Sequence, residues 1–98
     1  MTNITKEFLV GKWAHEEWEC ELTMFNYLVI DWPDSNKAYG SWILRNNEVI
    51  LTYTTHDKKK DRQFYIFSIE EIIDKNTIKT KDIEKNKEEI MKRKTNKI

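Results

Sequence analysis

The sequence predicts an all-β protein: a small antiparallel up-and-down barrel of seven or eight strands behind one short N-terminal helix. Three observations carry this expectation. Apolar and polar residues alternate with a period of two over most of the chain. Turn-forming residues recur at roughly ten-residue spacing, the pattern of a barrel or sandwich. Nearly every connection is short enough for a hairpin, which favours a meander over a Greek key, since a key needs one long return connection. The 98 residues make one domain, residues 1–98, with one core and no second functional unit.

Taken in order, residues 2–9 read as one or two helical turns, with Thr2 or Thr5 as cap and Ile4, Phe8 and Leu9 on one face. Residues 17–25 alternate, with Trp18, Cys20, Leu22 and Met24 on one side and Glu17, Glu19, Glu21 and Thr23 on the other, which is a half-buried strand. A second extended run over 26–32 is ended by Pro33, Asp34, Ser35 and Asn36, where Pro fixes φ and the polar side chains bond to nearby backbone. In residues 39–44, Trp42 and Leu44 share a face with Gly40. Asn46-Asn47 then supplies a two-residue hairpin, because Asn tolerates the left-handed region such turns use.

Residues 48–55 set Val49, Leu51 and Tyr53 against Ile50, Thr52 and Thr54. The charge run 56–62 reads as a solvated loop tip. Residues 63–69 form the most aromatic strand, with Phe64 and Ile66 on one side and Tyr65, Phe67 and Ile69 on the other. Residues 72–76 turn into a strand over 77–81. For residues 82–94 two readings stand: a charged helix capped by Asp82, or a turn through 84–87 and a last strand over 88–93. Ile83, Ile90 and Met91 make too thin an apolar stripe for a short helix, which favours the strand.

Hydrophobic residues are 39% and charged residues 35% of the chain, with two Gly and one Pro, the composition of a folded and heavily solvated domain. Four Trp, four Tyr and four Phe supply the apolar surface that offsets the entropy of ordering a short chain. Net charge is zero, yet residues 1–35 carry two Lys and seven acids, so the first third stands at −5 and the rest at +5. That balance argues against a nucleic-acid partner, which draws a net basic domain. Cys20 is the single cysteine, so no intrachain disulfide is expected. Phe8, Leu9 and Val10 are too short a run for a signal-peptide core, and no stretch is long and apolar enough to cross a bilayer. The expected address is the cytoplasm.

Gly11-Lys12-Trp13, behind a helical turn and ahead of alternating strands, resembles the opening of the lipocalin-like (calycin) barrels, whose first strand begins G-x-W. Gly40-Ser41-Trp42-Ile43-Leu44 is similar to the G-x-W-x-L strand of small bacterial lipocalin-like domains. Residues 48–52 are similar to the apolar-Thr strand that follows it, and Met91-Lys92-Arg93 to the last strand. The similarity spans residues 5–94. It implies that Trp13 packs near Arg93 at a closed end of the barrel, and that the protein holds a small apolar ligand.

The function expected is therefore non-catalytic binding, without a cofactor. In one form, Trp18, Trp42, Tyr53 and Phe64 surround a small apolar or aromatic ligand, with Arg62 or a threonine as the polar contact at the mouth. The same rings would otherwise simply fill the barrel. In the other form, the protein is a binding module of inhibitor or immunity type. There the acidic strand face of Glu17, Glu19 and Glu21, or the aromatic-basic tip at 58–65, docks a protein partner or a second copy.

His15 and His56 lack a spaced set of companions for a metal. The serines have no G-x-S-x-G setting, Cys20 has no evident base, and two isolated glycines make no phosphate loop, so no catalytic residue is assigned.

Overall fold

The computed structural model describes residues 4–33, 37–55 and 62–94, and only the backbone of Thr55 and Arg62. The helix is one turn, α1 (Lys6–Leu9), whose N-cap Thr5 accepts a bond from the Phe8 amide at 3.2 Å. Eight strands follow: β1 (Gly11–Ala14), β2 (Glu19–Leu22), β3 (Tyr27–Asp31), β4 (Lys37–Arg45), β5 (Glu48–Thr55), β6 (Arg62–Asp74), β7 (Thr77–Asp82) and β8 (Lys87–Lys94). Each pairs antiparallel with the next, and β8 returns to β1 through Trp13 opposite Arg93, closing the barrel. The meander follows from the short connections, and closure gives every strand a neighbour on both sides.

The alternation read from the sequence is the alternation of burial. Cys20 and Leu22 of β2, Leu28 and Ile30 of β3, and Val49 and Leu51 of β5 turn inward and are at most 2% exposed. Trp13, Trp42 and Phe67 are the largest side chains fully removed from solvent. Each such burial contributes about 1.5–3 kcal/mol over leaving the side chain in water. Asn46, at φ 58°, carries the two-residue turn between Arg45 and Glu48. Asn26 and Asn86 occupy the same left-handed region in two further turns.

Two boundaries differ from expectation, each for a local reason, and over residues 82–94 the strand reading is the one observed. The strand expected over 17–25 is confined to Glu19–Leu22, because the Thr23 carbonyl accepts from the Asn26 amide at 3.0 Å and turns the chain there, leaving Met24 and Phe25 exposed. The strand expected over 63–69 runs on to Asp74. Register shifts between Ile69 and Glu71 and between Ile72 and Asp74 break its alternation without ending its pairing with β7. Residues 82–94 form a hairpin and strand: the Asp82 side chain accepts from the Lys85 amide at 3.0 Å and the Asp82 carbonyl from the Asn86 amide at 2.7 Å, closing the turn.

Candidate functional site

The two ends of the barrel have separate chemistry. One end carries α1 and the turns after β2, β4 and β6. Here the Trp13 indole N–H donates to the Leu9 carbonyl at 2.9 Å, and the Arg93 guanidinium lies 4.3 Å from the Trp13 ring centroid and 5.2 Å from that of Phe8. Arg93 also donates to the carbonyls of Val10 at 3.0 Å, Phe8 at 2.7 Å and Lys75 at 3.2 Å. Trp42 donates from its indole to the Thr23 carbonyl at 2.9 Å. This end is sealed. The contact of Trp13 with Arg93 is the one that the resemblance implies.

The opposite end carries the connections after β1, β3, β5 and β7. The inward positions that approach it are His15, Trp18, Trp32, Tyr53, Tyr65, Asp82 and Glu89, all buried or half-buried. The His15 imidazole packs flat on Trp18, with centroids 4.5 Å apart and planes at 9°. Its Nε2 meets Glu89 Oε1, and both side chains are under a tenth exposed. Trp18, beside β2, meets Tyr65 of β6 edge to face at 5.4 Å, so side chains from opposite walls touch and span the lumen at this level. The Tyr65 hydroxyl donates to Glu89 Oε1 at 3.4 Å. Burial first, and then the neighbouring carboxylates of Glu89 and Asp82, push the Tyr65 hydroxyl well above the ordinary tyrosine range. Burial alone raises Tyr53. Deeper in the barrel, burial and then Glu19 push the Cys20 thiol up to about 12, which keeps it protonated and inert.

Beside this packed level a cleft of about 270 Å³ opens between the β1–β2 connection and the end of β3. Trp18 and Trp32 contribute its rings, and Glu16, Glu17, Glu19 and Asp31 its carboxylates; His15 and Pro33 complete it. The Lys94 ammonium is 3.0 Å from Glu19, and the Lys37 ammonium 2.7 Å from Asp31. Among the described residues, Glu16 and Glu17 make no ion pair.

Of the residues singled out from sequence, Trp18 and Tyr53 stand at this mouth, with Tyr53 6.2 Å from Trp32. Trp42 lies fully buried at the sealed end. Phe64 is a correction: it points outward and is 62% exposed, because the register Leu51 to Tyr65 puts Tyr65 and Phe67 inside and their neighbour outside. The Arg62 side chain and the loop tip before it lie outside the described residues. Glu17 and Glu19 line the cleft together with Trp18, joining residues that the sequence assigned to two separate sites. Glu21 is apart from them, opposite Lys12 of β1, so the acidic row is interrupted by lysines of the neighbouring strands.

Trp32, Asp82 and Glu89 were not singled out for the site by sequence reasoning. The strand parity carries them, since Glu89 shares its side of β8 with Met91 and Arg93, and Asp82 its side of β7 with Ile78 and Thr80. Among the described residues no set of three His, Cys, Asp or Glu converges as metal ligands, and no helix is long and apolar enough to cross a membrane.

Fold and site thus define a class: a closed, eight-stranded antiparallel barrel with one sealed end and one end of aromatic and acidic side chains. No family model, curated protein or solved structure matches the chain.

Proposed function

We propose that the protein is a non-catalytic, cytoplasmic binding protein of the lipocalin-like kind, and that its ligand is a small ring-bearing organic cation held in the cleft beside the mouth. The observation that carries this reading is the pairing of two half-buried indoles with four carboxylates around about 270 Å³. Indole faces attract cations through the ring quadrupole, worth about 0.5–2 kcal/mol according to desolvation. Glu16 and Glu17, which make no ion pair among the described residues, add a Coulombic preference for positive charge and disfavour anions. The volume is below the roughly 300 Å³ at which pockets for drug-sized ligands begin, which suits a single ring bearing an amine. Ring contacts across the lumen favour this rim position over a deep apolar cavity. The Trp13–Arg93 closure at the far end supports the lipocalin-like reading.

Intrinsic tryptophan fluorescence, titrated with aromatic amines, their neutral isosteres and a fatty acid, tests the reading. Amines are expected to quench saturably and to bind more weakly as salt rises, with the response lost in Trp32→Ala and reduced in Glu17→Gln. Preference for the fatty acid or the neutral isosteres would move the site into the lumen and overturn the cation assignment.

A further inference from the structure

The geometry points to a second interaction surface: the outer face of β3–β6 is the contact through which two copies of this chain pair. In a chain with 35% charged residues, none of the ten outward positions in the middle of these strands, 27 to 29, 39 to 43, 50 to 54 and 64 to 66, carries a charge. One cross-strand row runs Tyr27, Ser41, Thr52, Phe64, flanked by Tyr39 on one side and Ile43 on the other. Tyr27, Tyr39 and Phe64 are 67%, 60% and 62% exposed, and Ile43 is 48% exposed. The outer face of the remaining strands carries charge, with Lys79 3.4 Å from Glu88 and Lys94 3.0 Å from Glu19. Water explains the charged half. Nothing in solvation favours three exposed rings in one patch, and uncharged Tyr, Phe, Ile, Ser and Thr with charge at the rim is the make-up of an interface core.

Shape, area and charge select a second copy as the occupant. A groove of about 230 Å³ runs across this face among Tyr39, Ser41, Thr52 and Thr54, above Gly40, and is of a size to take one ring from a partner. The outward side chains together expose on the order of 700 Å², near the roughly 800 Å² per partner of a standard interface. Among the described side chains, Lys37 pairs with Asp31 at one end of the face and Arg45 stands opposite Glu48 at the other. A two-fold axis crossing the strands near Ser41, the midpoint of β4, sets one end against the other. Lys37 then meets Glu48 of the second copy, and Asp31 meets its Arg45. A surface whose two ends match in this way is complementary to itself, as an isologous dimer requires.

Sedimentation velocity over a concentration series tests the inference. The wild-type chain is expected to sediment as a dimer that dissociates on dilution. Ile43→Glu and Phe64→Glu each bury a charge against its copy and are expected to raise the dissociation constant on the order of a hundredfold. Circular dichroism and amine binding should be unchanged in both, which separates loss of the contact from loss of fold and from failure of the cleft assignment. Lys37→Glu alone should weaken the dimer and Lys37→Glu with Glu48→Lys restore it. A wild-type monomer at every concentration overturns the inference, as does a dimer indifferent to Ile43→Glu and Phe64→Glu. Co-sedimentation of a monomer with phosphatidylcholine vesicles would give the face to a lipid surface and overturn it as well.

Discussion

At the helix end of the barrel, the charged group that enters the core, Arg93, has aromatic faces and three backbone carbonyls arranged around it. At the other end, His15, Tyr65, Asp82 and Glu89 meet one another inside the wall, and two half-buried indoles open onto an acidic cleft. Both ends bury polarity, but with different consequences. At the helix end the Trp13, Trp42 and Arg93 donors are answered by backbone carbonyls that the fold already fixes, so the arrangement serves closure. At the mouth side chains answer side chains, and the neighbouring carboxylates keep capacity for a ligand. If ligand binding belongs to the mouth as proposed, the helix end carries stability and the mouth binding, a division that can be broken.

The largest expected effect is Trp13→Ala. It empties a fully buried site, leaves the Leu9 carbonyl without its donor and uncovers the Arg93 guanidinium. The expected cost is about 4–5 kcal/mol in chemical denaturation. Trp18→Ala at the half-buried mouth is expected to cost about 1–2 kcal/mol, since less apolar surface is lost, while removing the fluorescence response to amines. Equal costs for the two tryptophans would erase the division between a structural and a binding end.

Next in size is Gly40→Ala, which probes the wall joining the two ends. A Cβ at Gly40 would stand 1.9 Å from the Thr52 carbonyl oxygen and 2.8 Å from the Tyr53 Cα, so backbone and not a flexible side chain would have to yield. Overpacking of this kind costs about 3 kcal/mol, read as a lowered denaturation midpoint. Because the same close approach shapes the groove on the outer face, this variant should also weaken dimerisation. A Gly40→Ala protein as stable as wild type would mean that β4 and β5 do not need that approach.

How much of this was legible in the sequence follows from where burial has one sign. In β2 one face is apolar and the other acidic, and in β5 the threonines mark the outer side, so the period of two sets which side turns inward and Cys20 and Leu51 could be placed from sequence. β6 is apolar on both faces because its outer side belongs to the uncharged patch. Only its register with β5 decides between Phe64 and Tyr65, and register is not written in one strand. The far part of β6 was lost for another reason: two register shifts put Ile69 and Ile72 against the core at odd spacing, which no strict alternation contains. At the mouth, residue type misled. Asp82 and Glu89 sit at inward parity, but carboxylates in a charge-rich hairpin look solvated until a histidine and a tyrosine 74 and 24 residues away are brought beside Glu89. The cleft needed the fold, because Glu17 and Trp18 are neighbours in sequence but Trp32 and Asp31 reach them only across the β2–β3 pairing.

The smallest effect expected is also the most specific to the mouth. Burial and the two carboxylates hold the Tyr65 proton more tightly in the folded chain than in the unfolded one, where tyrosine ionises at about 10. Below that pH both states keep the proton and the contribution to stability is complete. Above it the unfolded chain releases the proton while the folded chain keeps it, so unfolding becomes progressively easier as pH rises. Cys20 acts in the same direction from about 9, its folded value being about 12. Denaturation midpoints measured across alkaline pH should therefore fall, less steeply in Tyr65→Phe and less steeply again when Cys20→Ala is added. At neutral pH, Tyr65→Phe removes only a 3.4 Å bond to Glu89 and should cost about 1 kcal/mol or less. An alkaline decline as steep in Tyr65→Phe as in wild type would place the Tyr65 hydroxyl in contact with water, and with it would go the contrast between a mouth whose polar groups answer one another and an end held by backbone.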